Sequence, residues 1–516
     1  MRVTNTMITN NSKYHMQNAK RSMLKYNDQY TTQKKIQRPS DDPIIASRAM
    51  KFRAQIKELE QYLERNVPDA KSWMEATDSE LEIVSEILTQ IKQTCDQGAN
   101  DPLTASDRKD LVDALKQNVQ SIFTESANKD FNGRYLFTGY RTDTSLVFGD
   151  DVNRDNLFYN ITENFKTSQI EQFNIVTDGA RYDAAIFDGQ DYVDMAAEMK
   201  SVFRIVLGYN NLSNSGMTIN ADGTVTQPDG TPANYVEFSY TYKDNAGLEQ
   251  TVTKTATTKS SNDPGAYEVG DDDIVFLYDT GEVLIGKNVN SELVAKQASI
   301  SIGYTKTEFG RDDIRPEHYY KCDSFNKVTE RVINYKDPRG QDIEYDINFS
   351  QSLHVNMQAC DAFSTDIHRA IDYIAQAVDA VNDIENKMAE VDRLIERETD
   401  PDKLAALNSL KTTLQQEFEM RTKVMQEAFG KGLTMVKNTQ QQLSNSIADL
   451  DARYVRLEMT YNKLLDDMDN LESMKSENEN IDLGEAYTNL YQADLLYQAS
   501  LSATAKILGN TLLDYI

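Results

Sequence analysis

Residues 1–97 contain no glycine, and residues 1–38 contain no proline either. A segment so built has little with which to break a helix and little from which to make closely spaced turns. Cysteine is sparse: Cys95, Cys322 and Cys360 form an odd set without the paired short spacings of a zinc site or disulfide framework, and they read as buried thiols. Of the four histidines, His15, His318, His354 and His368, none opens or closes an HExxH metal site. No apolar run is long enough to span a bilayer, and the opening MRVTNTMITNNSKYHMQ lacks the continuous apolar stretch of a secretory signal. Positive charge is also short, with 54 basic against 82 acidic residues, and the formal charge of -28 repels phosphate backbones and anionic leaflets alike. These deficits exclude nucleic acid, membrane insertion and a bound cofactor or metal from the expectations. A protein of this kind that leaves its cell must use a route without a cleaved signal.

What is present divides the 516 residues into two architectures, and the length suggests two or three domains. Seventeen of the 22 glycines lie between Gly133 and Gly340, so the chain has rigid ends and a turn-rich centre. Apolar positions alternate at three and four through Ile45, Ala49, Phe52, Ile56, Leu59 and Leu63, and then through Thr77, Leu81, Val84, Leu88, Ile91 and Cys95. That is a heptad seam, which Pro68 is expected to kink or interrupt. Another helix is expected from about Thr104 to Lys129. The pattern returns at Ile367, Ile371, Ile374, Val378 and Val381, and again from Leu443 through Ile447, Leu450, Tyr454, Leu457, Tyr461, Leu464 and Met468 to Leu471, with Thr399-Asp400-Pro401 as a turn between helices. Exposing such a seam forgoes about 1.5–3 kcal/mol per large side chain, so these helices are expected to bundle.

Between about residues 165 and 325 the alternation shortens to two, with Val236, Phe238, Tyr240 and Tyr242 on one face. Asp222-Gly223, Asp229-Gly230, Asn245 to Gly247 and Asp279 to Gly281 supply turns, and Ile274–Leu277 with Val283–Ile285 predicts a hairpin. A second hairpin is expected to pair Val332–Tyr335 with Ile343–Ile347 around Asp337-Pro338-Arg339-Gly340. The fold class is therefore mostly α with a β-rich insertion, an antiparallel helical bundle built from both ends around a central β domain.

The extreme ends carry thinner stripes. Met16, Ala19, Met23, Tyr26 and Tyr30 repeat amid polar neighbours, as do Leu490, Ala493, Tyr497, Leu501, Thr504, Leu508, Leu512 and Tyr515, where Asp482 is placed to cap the helix. A short amphipathic helix is marginal alone in water, so these stripes are expected to order against other copies of the chain. Three other features read as structural. Asp271-Asp272-Asp273 lacks the alternating ligand spacing of a calcium loop, Gly430 and Gly432 stand mid-helix as a kink or close packing point, and Trp73 sits on the seam.

The segment IQRPSDDP, with Arg38, Pro39, Ser40, Asp41, Asp42 and Pro43, makes a capped helix entrance. Followed by Asn66, DSELEIVSEI from Asp78, SANKDFNGRYLFTGY ending at Tyr140 and DLGEAYTNLYQADLLYQASL from Asp482, it resembles the flagellin family. MRVTNTMI, FNGRYLFTGYRT and VNMQACDAF resemble the hook-associated branch of that family more narrowly. The resemblance covers about residues 1–165 and 325–516 and stops at the central insertion.

It implies three parts: terminal coiled-coil helices in 1–38 and 482–516, a helical bundle in 39–165 and 325–481, and an insertion domain in 166–324. The implied role is a ring of copies that adapts hook to filament. Hook-associated protein 1 would lie on one side and flagellin on the other, and a FlgN-like export chaperone would hold the chain before it leaves through the flagellar type III apparatus. A filament-forming flagellin is the alternative, and an adhesive or enzymatic insertion is a more distant one.

Overall fold

The computed structural model describes residues 5–100, 103–150, 154–176, 197–220, 224–231, 234–244 and 247–509. Its helices are α1 (Asn5–Thr32), α2 (Pro43–Gln61), α3 (Val67–Asn100), α4 (Ala105–Ser121), α5 (Lys287–Lys296), α6 (Ala359–Ala362), α7 (Asp366–Arg397), α8 (Pro401–Glu479) and α9 (Leu483–Gly509). The chain is mostly helical at its ends and β-rich at its centre, and it forms two compact units.

The first unit takes residues 1–71, 344–353 and 453–516. Here α1 packs along α9, and the Asn478 amide donates to the Ile45 carbonyl at 3.0 Å, joining the last turn of α8 to the first turn of α2. Proline at position 68 cannot donate its backbone bond and its ring crowds the preceding turn. The helix absorbs this without breaking: Tyr62–Asn66 widens to a π turn, in which the Val67 amide reaches back to the Tyr62 carbonyl.

The second unit takes residues 72–343 and 354–452. The seam read at Thr77, Leu81, Val84, Leu88, Ile91 and Cys95 is buried throughout, as are Ile367, Ile371, Ile374, Val378 and Val381 of α7. Close approach of these helices needs small residues. A Cβ on Gly432 would lie 2.7 Å from Ile374 Cδ1, and one on Gly98 would lie 2.4 Å from the Phe429 ring. Gly432 is thus a packing point, whereas a Cβ on Gly430 would meet nothing within 4 Å. Thr104 caps α4 through a reciprocal bond with Asp107. Trp73 packs its edge on Phe131 at 6.2 Å in the core. Cys95 and Cys322 are buried and Cys360 is half-buried, and all three are free. Burial pushes every thiol upward, those of Cys95 and Cys360 to about 12.

The central strands of this unit make two sheets. One orders Arg331–Tyr335, Lys321–Asn326, Leu157–Lys166, Ser299–Lys306, Glu237–Lys243 and Glu249–Thr255, all antiparallel. The other orders Thr257–Lys259, Ile274–Leu277, Glu282–Ile285, Met199–Val206 and Glu171–Val176. Phe238 and Tyr240 from the first share a core with Ile205, Phe276 and Val283 from the second. The predicted hairpin at Ile274–Leu277 forms in register with Glu282–Ile285. Its turn requires glycine at position 281, where φ is +67° and a Cβ would stand 2.0 Å from the Tyr209 carbonyl oxygen.

The second expected hairpin is a correction. Arg331–Tyr335 pairs with Lys321–Asn326, not with 343–347, and Glu344–Asn348 pairs with Gln351–His354. The stretch 321–326 was not read as a strand, yet Cys322, Ser324 and Phe325 are buried there, and a short turn ending at left-handed Glu330 (φ +50°) closes the nearer pairing. Local closure of this kind costs less chain entropy than spanning 336–342. The turn at Asp222-Gly223 and residues Asn245 and Ala246 lie outside the described residues.

Candidate assembly surface

Helix α1 has no helix-breaking residue, and it stops where Gln33 turns left-handed at φ +59°. Helix α9 starts where the Asp482 carboxylate accepts the Glu485 amide at 2.9 Å, the cap anticipated for it. The two helices lie against each other, and Ala486 and Ala493, both buried, give α1 room to approach. Of the stripe residues, Ala493 is buried, and Met16, Met23, Tyr26, Leu490 and Tyr497 are half-buried. These six therefore line the faces that α1 and α9 turn toward each other within one chain. Tyr30 and Leu501 are exposed, Leu508 lies in α9 without a described side chain, and Leu512 and Tyr515 lie outside the described residues.

Large apolar side chains remain exposed on both helices, Tyr30 and Leu501 of the predicted set among them. On α9, Leu483, Tyr487, Tyr491 and Leu495 follow at intervals of four, and Leu496 and Leu501 are exposed as well, with exposures from 41% to 64%. On α1, Met7, Tyr14 and Leu24 are exposed at 46% to 64%. Tyr487 stacks on Tyr491 with ring centres 6.4 Å apart, and Tyr30 meets Tyr487 at 6.1 Å. Exposed apolar side chains gathered on a surface are the feature by which interaction sites are found. The signal was present in sequence as a repeat of large residues every four positions, adjacent to the narrower stripe.

At the root of the pair two segments of the chain meet as a short antiparallel bridge, Lys34 opposite Asn480. The Lys35 amide donates to the Glu479 carbonyl at 2.8 Å, and the Ile481 amide donates to the Gln33 carbonyl at 3.0 Å. The Glu479 carboxylate, 6% exposed, receives Arg53 Nε at 2.9 Å and Nη2 at 2.8 Å, with Lys34 Nζ at 3.4 Å. Hydrogen bonding and charge from Arg53 and Lys34 hold this carboxyl below its ordinary range. The family-motif segment follows directly. Asp41 accepts the Arg38 and Gln37 amides at 2.9 and 3.2 Å, and Asp42 caps α2 through the Ile44 and Ile45 amides at 2.9 and 3.2 Å, with Pro43 as its first residue. Arg38, Pro39 and Ser40 form an exposed turn. Separation by 426 residues left the Arg53–Glu479 pair without any sequence signal.

The reactive side chains considered earlier are dispersed. His15 is exposed on α1, His354 faces Asp342 at 3.3 Å and His368 faces Asp372 at 3.5 Å. His318 is buried, and desolvation with the Arg315 and Arg141 charges holds its imidazole neutral with a value near 3. Asp271–Asp273 are exposed, and Asp272 accepts the Asn288 amide at 3.0 Å. Among the described residues, no group of three His, Cys, Asp or Glu side chains is placed to hold a metal ion. No described helix is long and apolar enough to cross a membrane.

Comparison with known proteins places both helical ends. The bacterial flagellin N-terminal helical region matches residues 3–142, and the flagellin C-terminal helical region matches residues 433–516. Flagellar hook-associated protein 3 of Escherichia coli is 29% identical over 149 residues, covering 28% of this chain and 45% of the relative. The protein of the same name from Salmonella typhimurium is 28% identical over the same length, again 45% of the relative. The chain therefore spans less than half the length of the curated relatives it matches. Among solved structures, a flagellar hook-associated protein of Vibrio parahaemolyticus aligns with 85% of this chain and 100% of its own, at 11% identity and a TM-score of 0.36. The flagellar junction protein FlgL of Legionella pneumophila aligns with 84% and 99%, at 10% identity and a TM-score of 0.29. The curated names do not favour a filament flagellin. Both helical ends of the chain thus match the terminal regions of bacterial flagellin, and the curated relatives that match over 149 residues are named flagellar hook-associated protein 3.

Proposed function

We propose that this protein is a structural subunit of the bacterial flagellum that assembles as a ring at the hook–filament junction and adapts one polymer to the other. The observation that carries the reading is the α1–α9 pair: it closes on itself through Met16, Met23, Tyr26, Leu490, Ala493 and Tyr497, yet leaves Tyr487, Tyr491, Leu495 and Leu496 in water. Burying each of those side chains between copies is worth about 1.5–3 kcal/mol. Copies would thus join through 1–38 and 482–516, 39–165 and 325–481 would be the helical bundle domain, and residues 166–324 would be an added domain.

The role is mechanical and makes or breaks no bond. Its neighbours are hook-associated protein 1 and flagellin, and a FlgN-like chaperone shields the exposed α9 surface before export through the type III apparatus to the cell exterior. Deleting residues 482–516 tests the reading. The truncated chain should keep the circular dichroism and melting of its β-rich unit and fail to enter flagella, and normal incorporation would overturn the proposal.

A further inference from the structure

Glu163, on the strand Leu157–Lys166, is 5% exposed, and among the described residues no cationic side chain pairs with it. Its Oε1 accepts the Gly208 amide at 3.0 Å and the Tyr304 hydroxyl, and its Oε2 accepts the same amide at 3.3 Å. Gly208 belongs to the strip 207–210, by which the β-rich part of this unit seats on α7. The Leu207 carbonyl accepts Arg369 Nε at 3.0 Å, and Asn210 donates to Asp372 at 3.2 Å. Behind the strip, Tyr320 shares a hydrogen bond of 2.8 Å with Thr365 at the start of α7. The charged and titratable groups around the carboxyl are Tyr304 and Tyr320 from the β side and Asp366 and Arg369 from α7. The Arg369 guanidinium is already committed to Leu207, Thr280 and Asp372. A carboxylate taken out of water without a counter-ion is costly, whereas a neutral carboxylic acid in the same place is not.

We infer that the proton on Glu163 governs how tightly the strip 207–210 docks on α7: protonated it is closed, and ionised it opens. Burial pushes this carboxyl up to about 7, against the lowering pull of the Tyr304 hydroxyl and the Gly208 amide, from an ordinary value of 4.5. The sign follows from linkage. Between those two values the closed state keeps a proton that the open state releases, so rising pH favours opening, and above about 7 the effect saturates.

Hydrogen exchange of the full chain from pH 5 to pH 9, corrected for intrinsic rates, should show protection of residues 207–210 falling by on the order of 10²-fold. In E163Q, which cannot ionise, that fall should vanish. Y304F removes a donor to the charged form and should move the midpoint upward, which supplies a second reading if E163Q folds poorly. Asp366 is also raised by burial, so D366N serves as the control and should shift the transition without removing it. Constant protection across the range in the wild type, or a fall that persists in E163Q and disappears in D366N, would overturn the inference.

Discussion

Replacing Glu479 by glutamine tests whether the root of the terminal helix pair is held by charge. The side chain keeps its shape, but the two bonds from Arg53, at 2.9 and 2.8 Å, and the Lys34 contact at 3.4 Å lose their charged acceptor. Arg53 and Lys34 are 59% and 43% exposed and can turn to water, so the cost is confined to lost charge-assisted bonding at a carboxyl that is 6% exposed. Hydrogen bonds to charged groups contribute about 1.5–3 kcal/mol, and about 2 kcal/mol corresponds to a roughly 30-fold change in an opening equilibrium. Amide exchange is the direct assay, because the Lys35 and Ile481 amides close the bridge beside this carboxyl. Their protection should drop about 30-fold in E479Q at pH 7. Since the folded carboxyl lies below its unfolded value, its contribution is fully present above the unfolded value near 4.3 and is lost as pH falls through the folded one. Wild type and variant should therefore converge in acid. Equal protection at pH 7, or a gap that persists in strong acid, would refute the reasoning.

Three further substitutions probe the second unit. In G432A the new methyl would stand 2.7 Å from Ile374 Cδ1, so overpacking of about 1–3 kcal/mol should outweigh the better helix propensity of alanine and lower the melting temperature. G430A meets nothing within 4 Å and should raise stability by up to about 1 kcal/mol in the same assay. L88A opens a cavity on the fully buried seam and should cost about 2–5 kcal/mol in denaturant unfolding, whereas a loss under about 1 kcal/mol would mean the seam is not close-packed.

The helices were legible because period and burial agree: every seam position from Thr77 to Cys95 is buried, and Thr399-Asp400-Pro401 is the turn between α7 and α8. The hairpin at Asp279 to Gly281 was legible because its geometry needs glycine. Strand order was not, since Lys321–Asn326 joins strands at 157–166 and 331–335 through contacts that no local pattern encodes. The candidate surface was half legible. Periodicity identified α1 and α9 as amphipathic, but where two apolar faces lie side by side it cannot tell which one the partner helix covers. Ala486 and Ala493 are buried, while Tyr487 and Tyr491 stay more than half exposed, with Tyr487 meeting Tyr30 of α1 at the edge of the pair. Charge pairs such as Arg53 with Glu479 depend on chain crossings distant in sequence and left no trace there.

The central claim is that the outward face of α9 is covered by other copies in the assembled flagellum. A cysteine placed at Leu495, which is 48% exposed, measures this by maleimide labelling read out on its own peptide by mass spectrometry, in the free subunit and in isolated flagella. The account predicts rapid labelling of the free protein and strong protection in the flagellum. Equal labelling in both states would contradict it.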